Sequence, residues 1–221
     1  MKVLALDTST PRGSVALLEG EQVVAHAALL PARRSMQTLA PTVQRLLEQT
    51  GWEPEQLELV AVSTGPGSFT GLRLGVTTAK VLAWTVGAEV LGVNTLEAIA
   101  WGVPQQGTLH VGLDAQRGEV FAATFTRSEV QQPWQQQGEM KLLKRSQWLQ
   151  QLGPGDWVAG PVLQLCRQEL PQGVCLCPEE QWYPWAAQVG QLAKWRFRQG
   201  QRQDVWSLLP QYYRPSPGQK G

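Results

Sequence analysis

Leu4-Ala5-Leu6-Asp7-Thr8-Ser9-Thr10, followed by Arg12-Gly13-Ser14-Val15-Ala16, is the stretch that decides the fold. Residues 3–6 form a compact apolar run, the signature of a strand buried on both faces, and the run ends in a carboxylate. A turn holding Pro11, Arg12 and Gly13 leads into a second strand at 14–18. Glu19-Gly20-Glu21-Gln22 then makes a tight turn into a third strand at 23–30. This is an antiparallel meander whose first strand keeps one edge free for a further partner. The same opening recurs at Gly112-Leu113-Asp114, followed by Arg117-Gly118-Glu119-Val120-Phe121. An apolar strand ending in Asp, a polar Arg-Gly turn and a second strand head each half, which points to duplication.

The rest of the chain fills in around these two openings. Ser35 precedes Met36, Leu39, Val43, Leu46 and Leu47 at helical intervals, and Gly51 closes the pattern. Pro41 sits early in that run, so the helix starts late or kinks there. Residues 59–62 read as a strand, 69–86 as a long helix, 90–93 as a short strand and 96–101 as a helix. Residues 1–105 thus make a first lobe of βββαβα order with one more helix. Residues 106–214 make a second, less regular lobe with helices at 146–152, 161–170 and 184–198, and 215–221 form a flexible tail. Gln131 to Gln137 reads as a loose loop or strand end. The fold class is α/β, with a mixed sheet in each of two lobes.

Composition narrows the function. A chain of 221 residues with 43% hydrophobic side chains buries a proper core, which excludes a wholly disordered protein. Nineteen Lys and Arg against 18 Asp and Glu give a net charge of +1, so no general attraction to polyanions operates. The first 105 residues hold seven cations against nine carboxylates and the remainder twelve against nine, enough for a local basic patch only. No apolar run reaches the ~18 residues that span a bilayer. The opening apolar stretch stops at Asp7, short of a secretory core. Cys166, Cys175 and Cys177 are an odd, clustered set that suggests no disulfide framework, and a cytoplasmic setting is expected.

Chemistry is concentrated in Ser63-Thr64-Gly65-Pro66-Gly67-Ser68-Phe69-Thr70-Gly71, which lies after a strand and before a helix. Glycines there let the main chain approach a ligand, Ser68 or Thr70 can cap the helix, and free N–H groups at a helix start favour anions. Two readings stay open. Asp7, Thr8 and Ser9 with Thr64, Gly65, Pro66, Gly67 and Ser68 can form a ligand loop, or the segment is a Gly-Pro-Gly turn with a capped helix. It is not a P-loop, because the Gly-Lys-Ser/Thr ending is absent. In the helix that follows, Gly71, Gly75, Ala79 and Ala83 fall four apart as a small-residue stripe that admits close packing. Either the stripe packs inside the chain or it meets a partner, and the neighbouring helix with Met36, Leu39 and Val43 favours a partner.

Other motifs are poor. His26 and His110 are isolated, Cys175-x-Cys177 with Cys166 lacks a fourth ligand, and a Ser or Cys hydrolase would need a nearby His base. Asp114 reads as a turn former. Lys194, Arg196, Arg198 and Arg202, interleaved with Trp195 and Phe197, are either a solvated helix end or a nucleic-acid contact.

Residues 4–10, the block Thr64-Gly65-Pro66-Gly67-Ser68-Phe69-Thr70-Gly71-Leu72-Arg73-Leu74-Gly75, and Ala79-Lys80 resemble the bacterial TsaB (YeaZ) family. So do Asp114-Ala115-Gln116-Arg117-Gly118-Glu119-Val120-Phe121 and the ending Pro210-Gln211-Tyr212-Tyr213-Arg214. The resemblance implies the two-lobed actin-like ATPase (ASKHA) fold and a role in tRNA threonylcarbamoyladenosine synthesis. In that system TsaC makes threonylcarbamoyl-adenylate and a TsaD-like catalytic subunit transfers the group to the adenosine beside the anticodon. A TsaB-like chain is a non-catalytic partner, homodimeric when alone, and a TsaE-like ATPase joins the pair; tRNA is met through the complex, with no membrane involved. Pairing through first-lobe helices would engage Met36, Leu39, Val43, Gly71, Leu72, Gly75, Val76 and Ala79. TsaD-like relatives hold a metal with a His-x-x-x-His motif on the first helix; residues 33–39 here carry no His, and only Gly160 stands where a Gly-rich adenosine turn is expected. No catalytic residue, metal or required cofactor is therefore expected, with nucleotide binding weak at most. The alternative is a glycoprotease-like metallopeptidase or a nucleotide-dependent hydrolase.

Overall fold

The computed structural model describes residues 1–29 and 35–214. Leu30, Arg33, Arg34, the tail from Pro215 and the side chain of Met36 lie outside the described residues. The chain runs β1 (Lys2–Asp7), β2 (Ser14–Glu19), β3 (Gln22–Ala28), α1 (Ser35–Thr50), β4 (Leu59–Gly65), α2 (Phe69–Val86), β5 (Glu89–Asn94) and α3 (Thr95–Trp101). It continues with β6 (Gly107–Asp114), β7 (Glu119–Arg127), β8 (Gln135–Lys144), α4 (Arg145–Leu149), β9 (Trp157–Ala159), α5 (Leu163–Cys166), β10 (Cys175–Leu176) and α6 (Ala186–Arg198).

The duplication expected from the two Asp-ended strands is a property of the topology. The first sheet has the order β3-β2-β1-β4-β5 and the second β10-β9-β6-β7-β8, the same arrangement read from the other edge. In both, the leading strand pairs antiparallel with the next and parallel with the fourth, as Asp7 opposite Ser14 and Asp114 opposite Val120 register. β1 takes its second partner, β4, on the edge the meander left open.

β1 reads as a continuous apolar run because both faces of the first sheet are covered. Leu4, Leu6, Val15, Leu17, Val60 and Val62 point to α1 and α2, meeting Leu39, Val43, Leu46, Val76, Ala79 and Ala83. Val3, Ala5, Ala16, Leu18 and Ala61 point the other way, onto Ala98 of α3 and onto Ala186, Val189, Leu192 and Ala193 of α6. The α6 side is lined by alanines, and Gly190 sits so close that an added Cβ would lie 2.5 Å from Leu18 Cδ1. α6 therefore belongs to the first sheet, although it falls in the sequence range expected for the second lobe. Trp148, Val162 and Leu163 cover the second sheet.

Other expectations shift in detail. α1 runs through Pro41 from Ser35 without a late start; Pro41 is exposed, so water can satisfy the carbonyl it leaves unpaired. The helix expected at 161–170 is four α-helical residues followed by a 3-10 turn at Arg167–Glu169. β8 occupies part of the glutamine-rich stretch read as loop or strand end.

The small-residue stripe faces inward, which corrects the preference for a partner there. Leu39, Val43, Leu72, Gly75, Val76 and Ala79 are all buried within the chain. A Cβ on Gly71 would overlap the Thr8 carbonyl oxygen, and one on Gly75 would overlap Thr8 Oγ1 and come within 3.3 Å of Val62 Cγ2. Glycine at these positions admits the β1–β2 loop. Alanine in place of a helical glycine gains about 1 kcal/mol of propensity, whereas forcing an atom into packed backbone costs about 1–3 kcal/mol. Gly71→Ala is accordingly expected to lower the urea midpoint; a raised midpoint would mean the stripe has room to spare.

Candidate ligand loop and partner face

The residues proposed for a ligand loop do come together, and most of their polar groups bond one another. β1 delivers Asp7 to the carboxyl end of the first sheet, beside Ser63 at the end of β4. Asp7 Oδ1 accepts hydrogen bonds from Ser63 Oγ at 2.5 Å, Ser9 Oγ at 2.6 Å and Ser9 N at 3.2 Å. Thr8 Oγ1 donates to the Gly71 carbonyl at 2.7 Å. At the start of α2, Ser68 N donates to the Ser9 carbonyl at 2.8 Å, and Ser68 Oγ caps the helix by accepting from Gly71 N at 3.2 Å. A Cβ on Gly67 would overlap that same Ser9 carbonyl. The Ser68 amide is thus held by the chain's own backbone, and the Gly71 amide by the Ser68 side chain. Of the two readings of the glycine loop, the capped turn describes its geometry.

A further segment closes the loop from outside. Gln211 N donates to the Thr64 carbonyl at 2.7 Å, and a Cβ on Gly65 would stand 2.5 Å from the Gln211 carbonyl oxygen. Gly65 has φ of +128°, and its peptide bond to Pro66 is cis. The Tyr212 ring lies 4.8 Å from Phe69, whose other neighbour is the Arg73 guanidinium at 3.8 Å. Tyr213 accepts from Asn94 Nδ2 at 3.1 Å and packs on Phe121 of β7, while Arg214 pairs with Glu119. Residues 209–214 are a strap across the glycine loop that also reaches the second sheet. Sequence reasoning assigned this segment no role; its Tyr-Tyr-Arg run was the available signal.

Asp7 is fully buried, and among the described residues its Oδ2 has no hydrogen-bond partner; Thr10 Oγ1 is another buried oxygen of this loop without one. Burial pushes the Asp7 carboxyl up from 3.8 to about 6, against the three hydrogen bonds that favour its ionised form. Asp114, its counterpart in the repeat, is exposed and accepts from Gln116 N at 2.9 Å, as a turn former does.

Among the described residues, no group of three His, Cys, Asp or Glu side chains could hold a metal ion. His110 bridges Asp156 and Thr124 at 3.1 Å each within the second sheet. Burial pushes the thiols of Cys166 and Cys177 up to about 11 and about 12, which leaves them unreactive at neutral pH. Gly160 is used in packing, since a Cβ there would overlap the Gly112 carbonyl. The basic run near the end of α6 is largely neutralised. Lys194 and Arg198 both pair with Glu21, Arg196 pairs with Glu97 at 2.6 Å, and Arg202 stacks on Phe197 at 3.6 Å. No helix among the described residues is long and apolar enough to cross a membrane.

The face that is open lies on the other side of α2. A groove of ≈ 770 Å³ runs between α1 and α2, walled by Val43, Leu47, Trp52, Thr78, Val81 and Leu82. Among the described residues, Val43 is the one expected partner residue that reaches it. Val81 is 56% exposed, and Trp84, one turn further along α2, is 67% exposed. Exposed apolar side chains of this size beside a groove mark interaction surfaces.

Two lobes with the same strand order, each headed by a strand ending in Asp, define an actin-like α/β protein whose glycine loop is packed shut. The family described as TsaD, tRNA N6-adenosine threonylcarbamoyltransferase, matches residues 28–149, more than half of the chain. The tRNA threonylcarbamoyladenosine biosynthesis protein TsaB of Bacillus subtilis is 36% identical over 127 residues, 57% of this chain and 55% of that one. The Escherichia coli TsaB is 39% identical over 132 residues, 58% of this chain and 57% of that one. The match thus spans little more than half the length of these curated relatives. The solved structure of YeaZ from Pseudomonas aeruginosa superposes over 96% of this chain and 99% of its own, with a TM-score of 0.81 at 25% identity. The chain belongs to the family described as TsaD, and the relatives it resembles are TsaB and YeaZ proteins.

The Asp7 environment yields a pH prediction. Because the carboxyl is raised in the folded state, its stabilising contribution is complete below about pH 4 and is lost as pH rises through about 6. A shift of about two units corresponds to ~3 kcal/mol. Denaturant titrations at pH 4 and pH 8 should show the native chain losing about that much relative to Asp7→Asn, whose amide cannot ionise. A constant difference between the two proteins across that range would contradict it.

Proposed function

We propose that this chain serves tRNA threonylcarbamoyladenosine synthesis as a subunit that makes no bond itself. It pairs with a TsaD-like catalytic relative, a TsaE-like ATPase joins them, and tRNA is met through the assembly. In the absence of that partner the same face joins two copies of the chain. The observation that carries the reading is the division of α2 into two faces. Its inner face is consumed by the glycine loop and the β1–β2 loop, and its outer face presents Val81 and Trp84 beside an apolar groove. Such a surface suits a partner helix with an apolar stripe. Family membership and the names of the curated relatives supply the pathway. The closed loop favours a supporting role, since the Ser68 amide and the glycines are already occupied by Ser9 and Gln211.

The test uses the full chain with its cognate TsaD-like protein. Because Val81 and Trp84 are exposed, Val81→Glu and Trp84→Glu should leave the melting temperature unchanged. Each should weaken association by at least about tenfold, the scale of a single aromatic or aliphatic anchor. Threonylcarbamoyladenosine formation on tRNA should fall in parallel. Undiminished association in both variants, or full modification without this chain, would overturn the reading.

A further inference from the structure

A second cavity, of ≈ 740 Å³, opens at the carboxyl ends of β4 and β5, where Thr64 and Asn94 meet the strap and the β8 strand of the other sheet. Ligands of open α/β sheets bind outside the carboxyl ends of the parallel strands, and pockets of a few hundred Å³ hold small molecules. The walls are polar and carry both signs of charge. Arg202 lines the cavity from the segment after α6, and Glu139 lines it from β8. Neither has an ion-pair partner among the described residues: Arg202 donates to the carbonyls of Phe197 and Gln201 and stacks on the Phe197 ring. Arg196 and Glu97 line a further wall as a closed pair at 2.6 Å, adding no net charge.

We propose that this cavity between the two sheets binds a zwitterion, an α-amino acid or a small amino-acid-containing molecule. Its carboxylate faces Arg202 and its ammonium faces Glu139. The charge inventory excludes the simpler classes. A phosphate-rich ligand would confront the unpaired Glu139, and a polycation would confront the unpaired Arg202. An apolar ligand would cover the Arg202 guanidinium and the Glu139 carboxylate without supplying either a counter-charge. A molecule carrying one charge of each sign satisfies the two unpaired walls at once, and charge-assisted hydrogen bonds are the stronger kind.

The experiment titrates the full chain by isothermal calorimetry and saturation-transfer NMR. The probes are the uncharged-side-chain L-α-amino acids and the dipeptide Ala-Ala, each to about 10 mM. At least one should bind, and its methyl ester and its N-acetyl derivative, each lacking one charge, should bind at least about tenfold more weakly. Glu139→Gln, on an exposed strand, should weaken the zwitterion similarly while leaving the N-acetyl derivative unaffected. Arg202→Gln should do the reverse, sparing the ester. Absence of binding by every probe would overturn the proposal, as would equal binding of the charge-blocked forms or indifference to both substitutions. Association with the TsaD-like protein, measured on the same variants, should be unchanged, which separates this site from the α2 face.

Discussion

The fold depends on the close approach of the β1–β2 loop to the start of α2. Thr8 and Ser9 lie against Gly67, Gly71 and Gly75 with no space for a side chain between them. That approach places the Ser9 carbonyl on the Ser68 amide and the Thr8 hydroxyl on the Gly71 carbonyl. It also buries Asp7 beneath both segments. Two glycines within a helix each forgo about 1 kcal/mol relative to alanine, a cost that backbone interlocking of this kind offsets. With its inner face committed, α2 has only its outer face to offer another molecule.

The strap makes the same arrangement reach the second lobe. Gln211 hydrogen-bonds the main chain of β4, Tyr212 packs on Phe69 at the start of α2, and Tyr213 and Arg214 reach Phe121 and Glu119 of β7. α6 reinforces this from the opposite face of the first sheet, where alanines and Gly190 bring it close. A chain whose two sheets repeat one another is thereby joined by its last thirty or so residues rather than by the link between the repeats alone.

Much of this was legible in the residues, for identifiable reasons. Val3 and Ala5 face α3 and α6 while Leu4 and Leu6 face α1 and α2, so the buried strand showed as an unbroken apolar run. The repeated Asp and Arg-Gly turn announced the second sheet. The direction of the glycine stripe was not legible, because a four-residue period defines a face without naming what covers it. Here the cover is Thr8, some sixty residues away in sequence. β8 escaped because most of its side chains are exposed on both faces, which removes alternation, and β9 and β10 are too short to carry a pattern. The two readings of the α6 cations, a solvated helix end or a nucleic-acid contact, did not include their distant partners Glu21 and Glu97, which no local reading supplies. Asp7 was legible as a candidate, whereas its burial and the contribution of Ser63 were not.

The Ser9 carbonyl holds the Ser68 amide at the start of α2, where an anion would otherwise approach. Hydrogen exchange at the Ser68 amide, followed by NMR with and without inorganic phosphate or ATP, tests it directly. The account predicts strong protection in the protein alone, comparable to amides of β4, and no change when either anion is added. An amide that exchanges freely until phosphate or nucleotide arrives would contradict it, and would return the glycine loop to the role of a binding site.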